Sequence, residues 1–491
     1  MITPKLEEYR ALARNHNLVP VLREVLADFD TPVSAFAKLN RGDAAFLLES
    51  LEGGETWGRW SILGFRPSIE FRSKGPVVEI RRGERTERSE AKDPLESLRA
   101  LLGSVKAAPV PGLPPFSGGA VGLVGYDYVR FLERIPAQIP DDLAQPDLHF
   151  VFPDLVLAFD NFRHRLQLVA NTRPSGDPDR TYREAVQAID EMLFRLGQPA
   201  PAPERSEKKN GEVSFTSNLG HEGYARAVET AKEHIRAGDV VQVVLAHRLE
   251  ATAAVSPFDV YRALRILNPS PYMYYLRYPE RSVAGSSPEI LVRTSGRNVA
   301  LRPIAGTRPR GATREEDLAL EKDLLASEKD RAEHVMLVDL GRNDLGRIAE
   351  IGSVRTTEFL TVERYSHVMH LVSHVEAKLR EGLGPFDVLR ACFPAGTVSG
   401  APKKRAMEII ESLEPSRRGA YAGAMGYFDF HGNADFCITI RTATFEGGRV
   451  HLGVGAGIVA DSDPEEEWAE TRNKARAVEE AVRLAARGLD A

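Results

Sequence analysis

Two acidic pairs have a spacing that could hold a cation. In Ser327-Glu328-Lys329-Asp330-Arg331-Ala332-Glu333-His334-Val335-Met336-Leu337, Asp330 and Glu333 are three residues apart. The composition predicts a helix, on which these two are neighbours and Glu333 shares a face with Met336 and Leu337. Near the C-terminus Pro464 follows Asp463 as a helix opening, and Glu467 and Glu470 repeat the spacing. Glu470 is expected on an inward stripe with Ala477, Ala481 and Leu484. Taken singly, such acids are surface charges paired with Lys329 or Lys474. Facing each other from two helices, at about 4 Å and an effective dielectric of about 20, they would repel by roughly 4 kcal/mol unless a cation lay between them. Mg²⁺ suits oxygen ligands of this kind, with water and an anionic substrate completing the shell, whereas zinc wants His or Cys.

His367, His370 and His374 stand at i, i+3 and i+7, a spacing that suggests zinc on a helix. No His-Glu-x-x-His pattern accompanies them, and a single histidine carrying a proton is the better expectation. Three glycine-rich stretches follow: Ala305-Gly306-Thr307-Arg308-Pro309-Arg310-Gly311, Gly396-Thr397-Val398-Ser399-Gly400-Ala401-Pro402-Lys403 and Gly453-Val454-Gly455-Ala456-Gly457-Ile458. None has the Lys-Ser/Thr ending of a P-loop, and the third is Gly-x-Gly-x-Gly, which does not support a dinucleotide fold. They are either tight turns or backbone N–H groups presented to carboxylates.

The elements that must position these groups are α+β. Runs such as Ser68–Arg72, Val77–Ile80, Leu155–Phe159 and Leu166–Val169 read as antiparallel strands. His221 to Ala237 reads as a helix ended by Gly238-Asp239 before the strand Val240–Leu245, and 290–292, 299–301 and 436–440 read as further strands without a regular βαβ rhythm. The expected fold is a set of large, mostly antiparallel sheets forming a sandwich-like core surrounded by helices. A proline-rich, charged stretch at 198–212 is the linker candidate, dividing an N-terminal lobe, 1–197, from a second domain, 213–491.

Composition bounds the rest. The chain has 491 residues, 43% hydrophobic and 27% charged, which excludes a fibrous or disordered protein. A net charge of -6 with mixed signs gives no basic stripe, so nucleic acid is not an expected partner. Cys392 and Cys437 lie in apolar surroundings far apart, so no disulfide framework is expected. With no apolar run long enough to span a bilayer and no signal-like start, no membrane association and a cytoplasmic location are expected.

Together these motifs resemble the chorismate-utilising enzymes, and among them the large subunits (component I) of anthranilate synthases. The resemblance covers nearly the whole chain. It is densest through Gly285-Ser286-Ser287-Pro288-Glu289, Arg302-Pro303-Ile304-Ala305-Gly306-Thr307, Glu333-His334-Val335-Met336, Val368-Met369-His370-Leu371 and Glu470-Thr471-Arg472-Asn473-Lys474. It implies that Glu333 and Glu470 hold Mg²⁺ against the ring carboxylate of chorismate, with Asp330 and Glu467 in support. Tyr421, Arg441 and the Gly457 backbone would fix the enolpyruvyl carboxylate, where an arginine fork does what lysine could not. Glu289 would protonate the departing hydroxyl with a pKa raised by burial, ammonia would attack C2, and His370 would serve the pyruvate-eliminating step. Gly306, Thr307, Thr397, Gly455 and Lys474 would line the pocket.

Product choice, on the same resemblance, turns on two positions. Aminodeoxychorismate synthases, the main rival, commonly have a lysine where this chain has Ala305, and isochorismate and salicylate synthases have one where it has Gln242. Both point to anthranilate, the first committed step of tryptophan biosynthesis. Leu47-Leu48-Glu49-Ser50 and Asn268-Pro269-Ser270-Pro271-Tyr272-Met273 resemble the family's tryptophan pocket, with Arg59 nearby where some relatives have lysine, and this implies feedback inhibition by L-tryptophan. Asp330 stands where the family more usually has Glu. Neither cysteine stands in a Gly-x-Cys-x-Gly turn, so ammonia is expected from a separate glutamine amidotransferase subunit, in a heterotetramer. A silent tryptophan sensor would not need the acid set that is present here.

Overall fold

The computed structural model describes residues 2–51, 58–174, 176–201, 213–365 and 368–489. Among the described residues 23 strands are hydrogen-bonded into one network, and every ladder between them pairs antiparallel. Helices pack around it, so the α+β expectation of large antiparallel sheets within a helical shell is met. Among the described residues no helix is long and apolar enough to cross a membrane.

The ladders run without regard to sequence order. Ala45–Glu49 lies against Tyr272–Arg277, with Met273 opposite Glu49, and Gly119–Val124 lies against Ala424–Asp429. Strands on either side of the 198–212 stretch therefore sit side by side. Most of that stretch, 202–212, lies outside the described residues, as does His367. One buried cluster joins Phe36, Leu47 and Leu157 to Leu249, Tyr261 and Val482, so the main core is also built from both parts of the chain.

Two helices bring the acids in. The first, Glu328–Gly346, opens on Ser327, whose hydroxyl accepts from the Asp330 N–H at 3.2 Å. The second, Pro464–Arg487, opens on Asp463, whose carboxylate accepts from the N–H groups of Glu465 and Glu466, with Pro464 in the first turn. Its buried residues are Glu467, Thr471, Ala475, Val478, Glu479, Ala481, Val482 and Ala485. Of the expected stripe through Glu470, Ala477, Ala481 and Leu484, only Ala481 is fully buried, so the buried face is rotated from the expected one. Glu467 faces the core and Glu470 lies on the flank, with its side chain half exposed.

The histidines correct a second expectation. Val368–Lys378 is a strand, so His370 and His374 are set by a period of two and not by helical turns. His374 turns to Glu376 at 2.9 Å, whereas His370 reaches toward Thr307 on the neighbouring strand Ile304–Pro309.

Candidate active site

The central strand of the site, Gln242–Thr252, pairs residue for residue with Arg449–Ile458, placing Val244 opposite Gly457 and Ala246 opposite Gly455. The glycines here are neither turns nor phosphate cradles; they make room. A Cβ on Gly457 would come within 2.4 Å of the Gln242 amide nitrogen, and one on Gly455 within 2.7 Å of the Tyr421 hydroxyl. Tyr421 packs against Gly453, where a Cβ would come within 2.2 Å of its ring, and burial pushes its phenol up to about 12. Behind it Arg418 forms a buried ion pair with Glu414 at 2.5 Å, and its guanidinium lies 5.7 Å from the Tyr421 ring.

The two helices converge on this strand pair. Gln242 Nε2–H donates to Glu333 Oε1 at 3.3 Å, and Lys474 Nζ–H donates to Gly455 O at 3.1 Å while pairing with Glu470 Oε1 at 2.6 Å. Burial raises the Glu333 carboxyl; the Gln242 amide works against this and the negative charge of Glu470 adds to it, so the two predicted metal acids lie close enough to feel each other's charge. Glu467 is likewise raised by burial, accepts from Ser462 Oγ–H at 2.6 Å, and feels Glu470. Asp330 is engaged differently: Arg308 Nη2 lies 3.0 Å from it, and it packs beneath Gly306, whose φ of +66° takes the left-handed region.

This donor set fits a hard divalent cation. It offers carboxylate oxygens from two helices, with Glu333 and Glu467 both raised by burial and by the charge of Glu470, and Lys474 acting on both. A second acidic cluster does not fit. Glu70, His149 and Glu280 offer ligand atoms within 4.8 Å of one another, but His149 Nδ1 accepts from Arg281 at 3.1 Å, so the ring proton sits on Nε2 and is donated to Glu70 at 2.8 Å. Arg81 pairs with Glu70, and Arg72 takes Glu280 at 2.9 Å.

Across the pocket Glu289 follows Pro288 at the end of strand Arg281–Ser287 and is 9% exposed. Burial pushes its carboxyl up to about 8, against the opposing pull of the Thr397 hydroxyl and the cations Arg441 and Lys474. Arg441 holds a φ of +51°, a left-handed conformation that costs a non-glycine residue roughly 1–2 kcal/mol. Its carbonyl accepts from the Ser286 N–H at 3.2 Å. His370 Nδ1 lies 3.0 Å from Gly306 O and 3.0 Å from Thr307 Oγ1. A carbonyl only accepts, so Nδ1 carries the proton and Nε2 keeps its lone pair. Burial, with Arg441 adding to it, lowers the His370 pKa and holds the ring neutral. Charge and hydrogen-bond links through Arg441 and Lys474 thus tie Glu289 and Thr397 to Glu333 and Glu470 on one side and to His370 and Thr307 on the other.

The second site is a cavity of about 450 Å³, walled by Glu49, Ser50, Pro271, Tyr272 and Met273 of the predicted set. The Glu49 carboxylate is held by the Tyr261 hydroxyl and by Arg265 at 2.9 Å. Arg59 and Asn268 are not on the wall. Arg59 pairs with Asp160 at 2.7 Å, and Asn268 donates to Ser286 Oγ at 2.9 Å. Sequence reasoning missed Trp60, Ile62, Arg293 and Asp435 on the wall, and Glu414 and Arg418 behind Tyr421. Two of these carried a local signal, an Arg four residues beyond Glu289 and an Asp two before Cys437, but neither means anything until the strands are paired.

Comparison with known proteins gives a consistent result. The profile described as chorismate binding enzyme matches residues 44–480. Anthranilate synthase component 1 of Acetivibrio thermocellus is 47% identical over 487 residues, 98% of this chain and 99% of that protein. That of Pseudomonas aeruginosa is also 47% identical, over 99% of each chain. Among solved structures, anthranilate synthase component I from Streptococcus pneumoniae superposes with a TM-score of 0.77 at 36% identity, covering 93% of this chain and 99% of that one. The menaquinone-specific isochorismate synthase from Escherichia coli, at 22% identity and a TM-score of 0.70 over 97% of this chain and 98% of that one, has the same fold.

Proposed function

This chain belongs to the chorismate-binding enzyme family, among proteins of the anthranilate synthase component 1 type, and on that premise we propose that it converts chorismate and ammonia to anthranilate, pyruvate and water, the first committed step of tryptophan synthesis. The observation that carries the reading is Glu289, a buried carboxyl pushed up to about 8 with Arg441 and Lys474 facing it. Such a group keeps its proton at neutral pH and can give it to the C4 hydroxyl. The C4–O bond breaks as ammonia bonds to C2, water leaves, and the new amine sheds a proton that balances the one Glu289 gave. His370, with Nε2 unprotonated, then removes the C2 hydrogen. The enolpyruvyl C–O bond breaks, its methylene carbon takes up a proton, and the ring becomes aromatic.

Arg441 and Tyr421 bind the enolpyruvyl carboxylate, and Thr307, Thr397 and Lys474 shape the pocket around the ring. Glu333 and Glu470 would hold Mg²⁺, with Asp330 and Glu467 in support; when bound, the cation grips the ring carboxylate and draws electron density from the ring. Ala305 supplies no amine nucleophile for an adduct at C2, and Gln242 no base for water, so ammonia is the nucleophile and anthranilate the product.

The 450 Å³ cavity takes L-tryptophan as a feedback inhibitor, with Glu49 and Ser50 at its amino-acid head. Ammonia comes from a separate glutaminase subunit, in a heterotetramer. Buried, free Cys392 and Cys437 suit the cytosol. The test is the fluorescence of anthranilate formed from chorismate and ammonium salt, with and without Mg²⁺ and tryptophan. The chain alone should use ammonium and not glutamine. Aminodeoxychorismate as the accumulating product on HPLC would refute the assignment.

A further inference from the structure

The cavity assigned above to tryptophan and the acid Glu289 share two strands. Tyr272, Arg293 and Asp435 meet on the cavity wall. The Tyr272 hydroxyl donates to Asp435 Oδ1 at 2.8 Å, and Arg293 Nε–H donates to Asp435 Oδ2 at 2.8 Å. Arg293 and Asp435 are register partners on strands Ile290–Ser295 and Ala434–Ile438. The same two strands hold the acid: the Ile438 N–H donates to Glu289 O at 3.0 Å, and Ser287 Oγ–H donates to Ile438 O at 2.6 Å. Tyr272 in turn is the register partner of Ser287. Between the acid and the triad the ladder slips at Ile290/Val292, a bulge of the kind that re-aims a neighbouring side chain.

We propose that the Tyr272–Asp435–Arg293 triad positions Glu289 and transmits occupancy of the cavity to it, so that tryptophan inhibits by displacing the acid and not by competing for its pocket. This rests on the assignment of the cavity to tryptophan. An occupant that pulls on Asp435 or Arg293 moves the bulge, and a displacement of about 1 Å at a reacting group costs on the order of 10²-fold in rate. The groups facing Glu289 that would feel such a shift come from several elements. Arg441 and Lys474 act on it directly. Asp344, Arg302 and Cys392 line with it and Thr397 a cavity of about 40 Å³. The triad makes no contact with substrate in this scheme, and its residues are positioning residues.

The experiment uses the full chain with ammonium as nitrogen source, comparing wild type with Tyr272→Phe and Asp435→Asn. Labelled tryptophan in equilibrium dialysis reads binding, and residual activity at saturating tryptophan reads coupling independently of affinity. The alkaline limb of kcat, at constant free ammonia and without tryptophan, reads the acid itself. Wild type should be inhibited at least tenfold at saturation, and variants that bind should be inhibited less than threefold. Both variants should move the alkaline limb by half a pH unit or more, so a variant that no longer binds tryptophan still tests the link between the triad and the acid. Unchanged saturating inhibition in a variant that binds, or an unmoved limb in both variants, would overturn the coupling alone. Absence of tryptophan binding to a wild type that makes anthranilate would overturn the coupling together with the assignment of the cavity.

Discussion

Replacing Glu289 by glutamine should disable the enzyme and stabilise it at once. With its carboxyl pushed up to about 8 from 4.5, roughly nine-tenths of Glu289 is protonated at pH 7, about 300 times the fraction an ordinary glutamate would hold. Glutamine mimics the neutral acid in shape and polarity but has no proton to give, so kcat should fall by about 10²–10⁴. The stability change runs the other way. A carboxyl whose pKa is raised by folding favours the native state below its unfolded value, near 4.5, and that contribution is lost as pH climbs through about 8. Three and a half units at about 1.4 kcal/mol each set the total at roughly 5 kcal/mol. Glu289→Gln should therefore gain on wild type between pH 4.5 and 8, with the gap constant beyond that. Thermal denaturation at pH 5 and pH 8 measures the gap, and anthranilate fluorescence at saturating chorismate measures kcat. A variant that keeps more than a tenth of wild-type kcat, or a stability gap that does not widen with pH, would refute the assignment of Glu289 as a buried neutral acid.

Three further outcomes are expected. Gly457→Ala puts a methyl within 2.4 Å of the Gln242 amide and should push it off Glu333, lowering kcat/KM for chorismate by about 10–100-fold while the melting temperature stays near wild type; steady-state kinetics beside a melting curve checks this. Chelation with EDTA should abolish turnover, with recovery on adding Mg²⁺, and Glu470→Gln should need at least tenfold more Mg²⁺ for half-maximal rate; activity indifferent to EDTA would remove the metal. Glu414→Ala leaves Arg418 buried and unpaired, which should cost about 3–5 kcal/mol in urea denaturation.

Much of the architecture was legible because it is periodic. The helices bearing Asp330, Glu333, Glu467 and Glu470 follow from spacing and caps, and the strands around 68–80, 155–169 and 290–301 from alternation. The rotated stripe on the last helix was not, because two nearly equivalent apolar stripes run along it, and only the neighbour that packs there selects Thr471, Ala475 and Val478 over Ala477 and Leu484. The histidine spacing matched a helix by accident, since a four-residue interval also fits a strand's period of two. Arg418 and Glu414 carry no local pattern, and the signals at Arg293 and Asp435 are uninformative alone; the roles of all four exist only where distant strands and turns meet. The roles of Glu289, His370 and Arg441, and the raised pKa of the acid, came from resemblance; geometry adds the groups that act on that acid, the ring tautomer and the left-handed backbone at Arg441.

The ladders that join Ala45–Glu49 to Tyr272–Arg277 and Gly119–Val124 to Ala424–Asp429 bear on how this protein can be handled. Each half of the polypeptide is the missing edge of the other. Expressed separately, either fragment would present bare strand backbone and a torn core, and it should aggregate unless its complement is made alongside it. A chain nicked between residues 201 and 213 should instead stay assembled, since the ladders, not the covalent link, hold its parts in register.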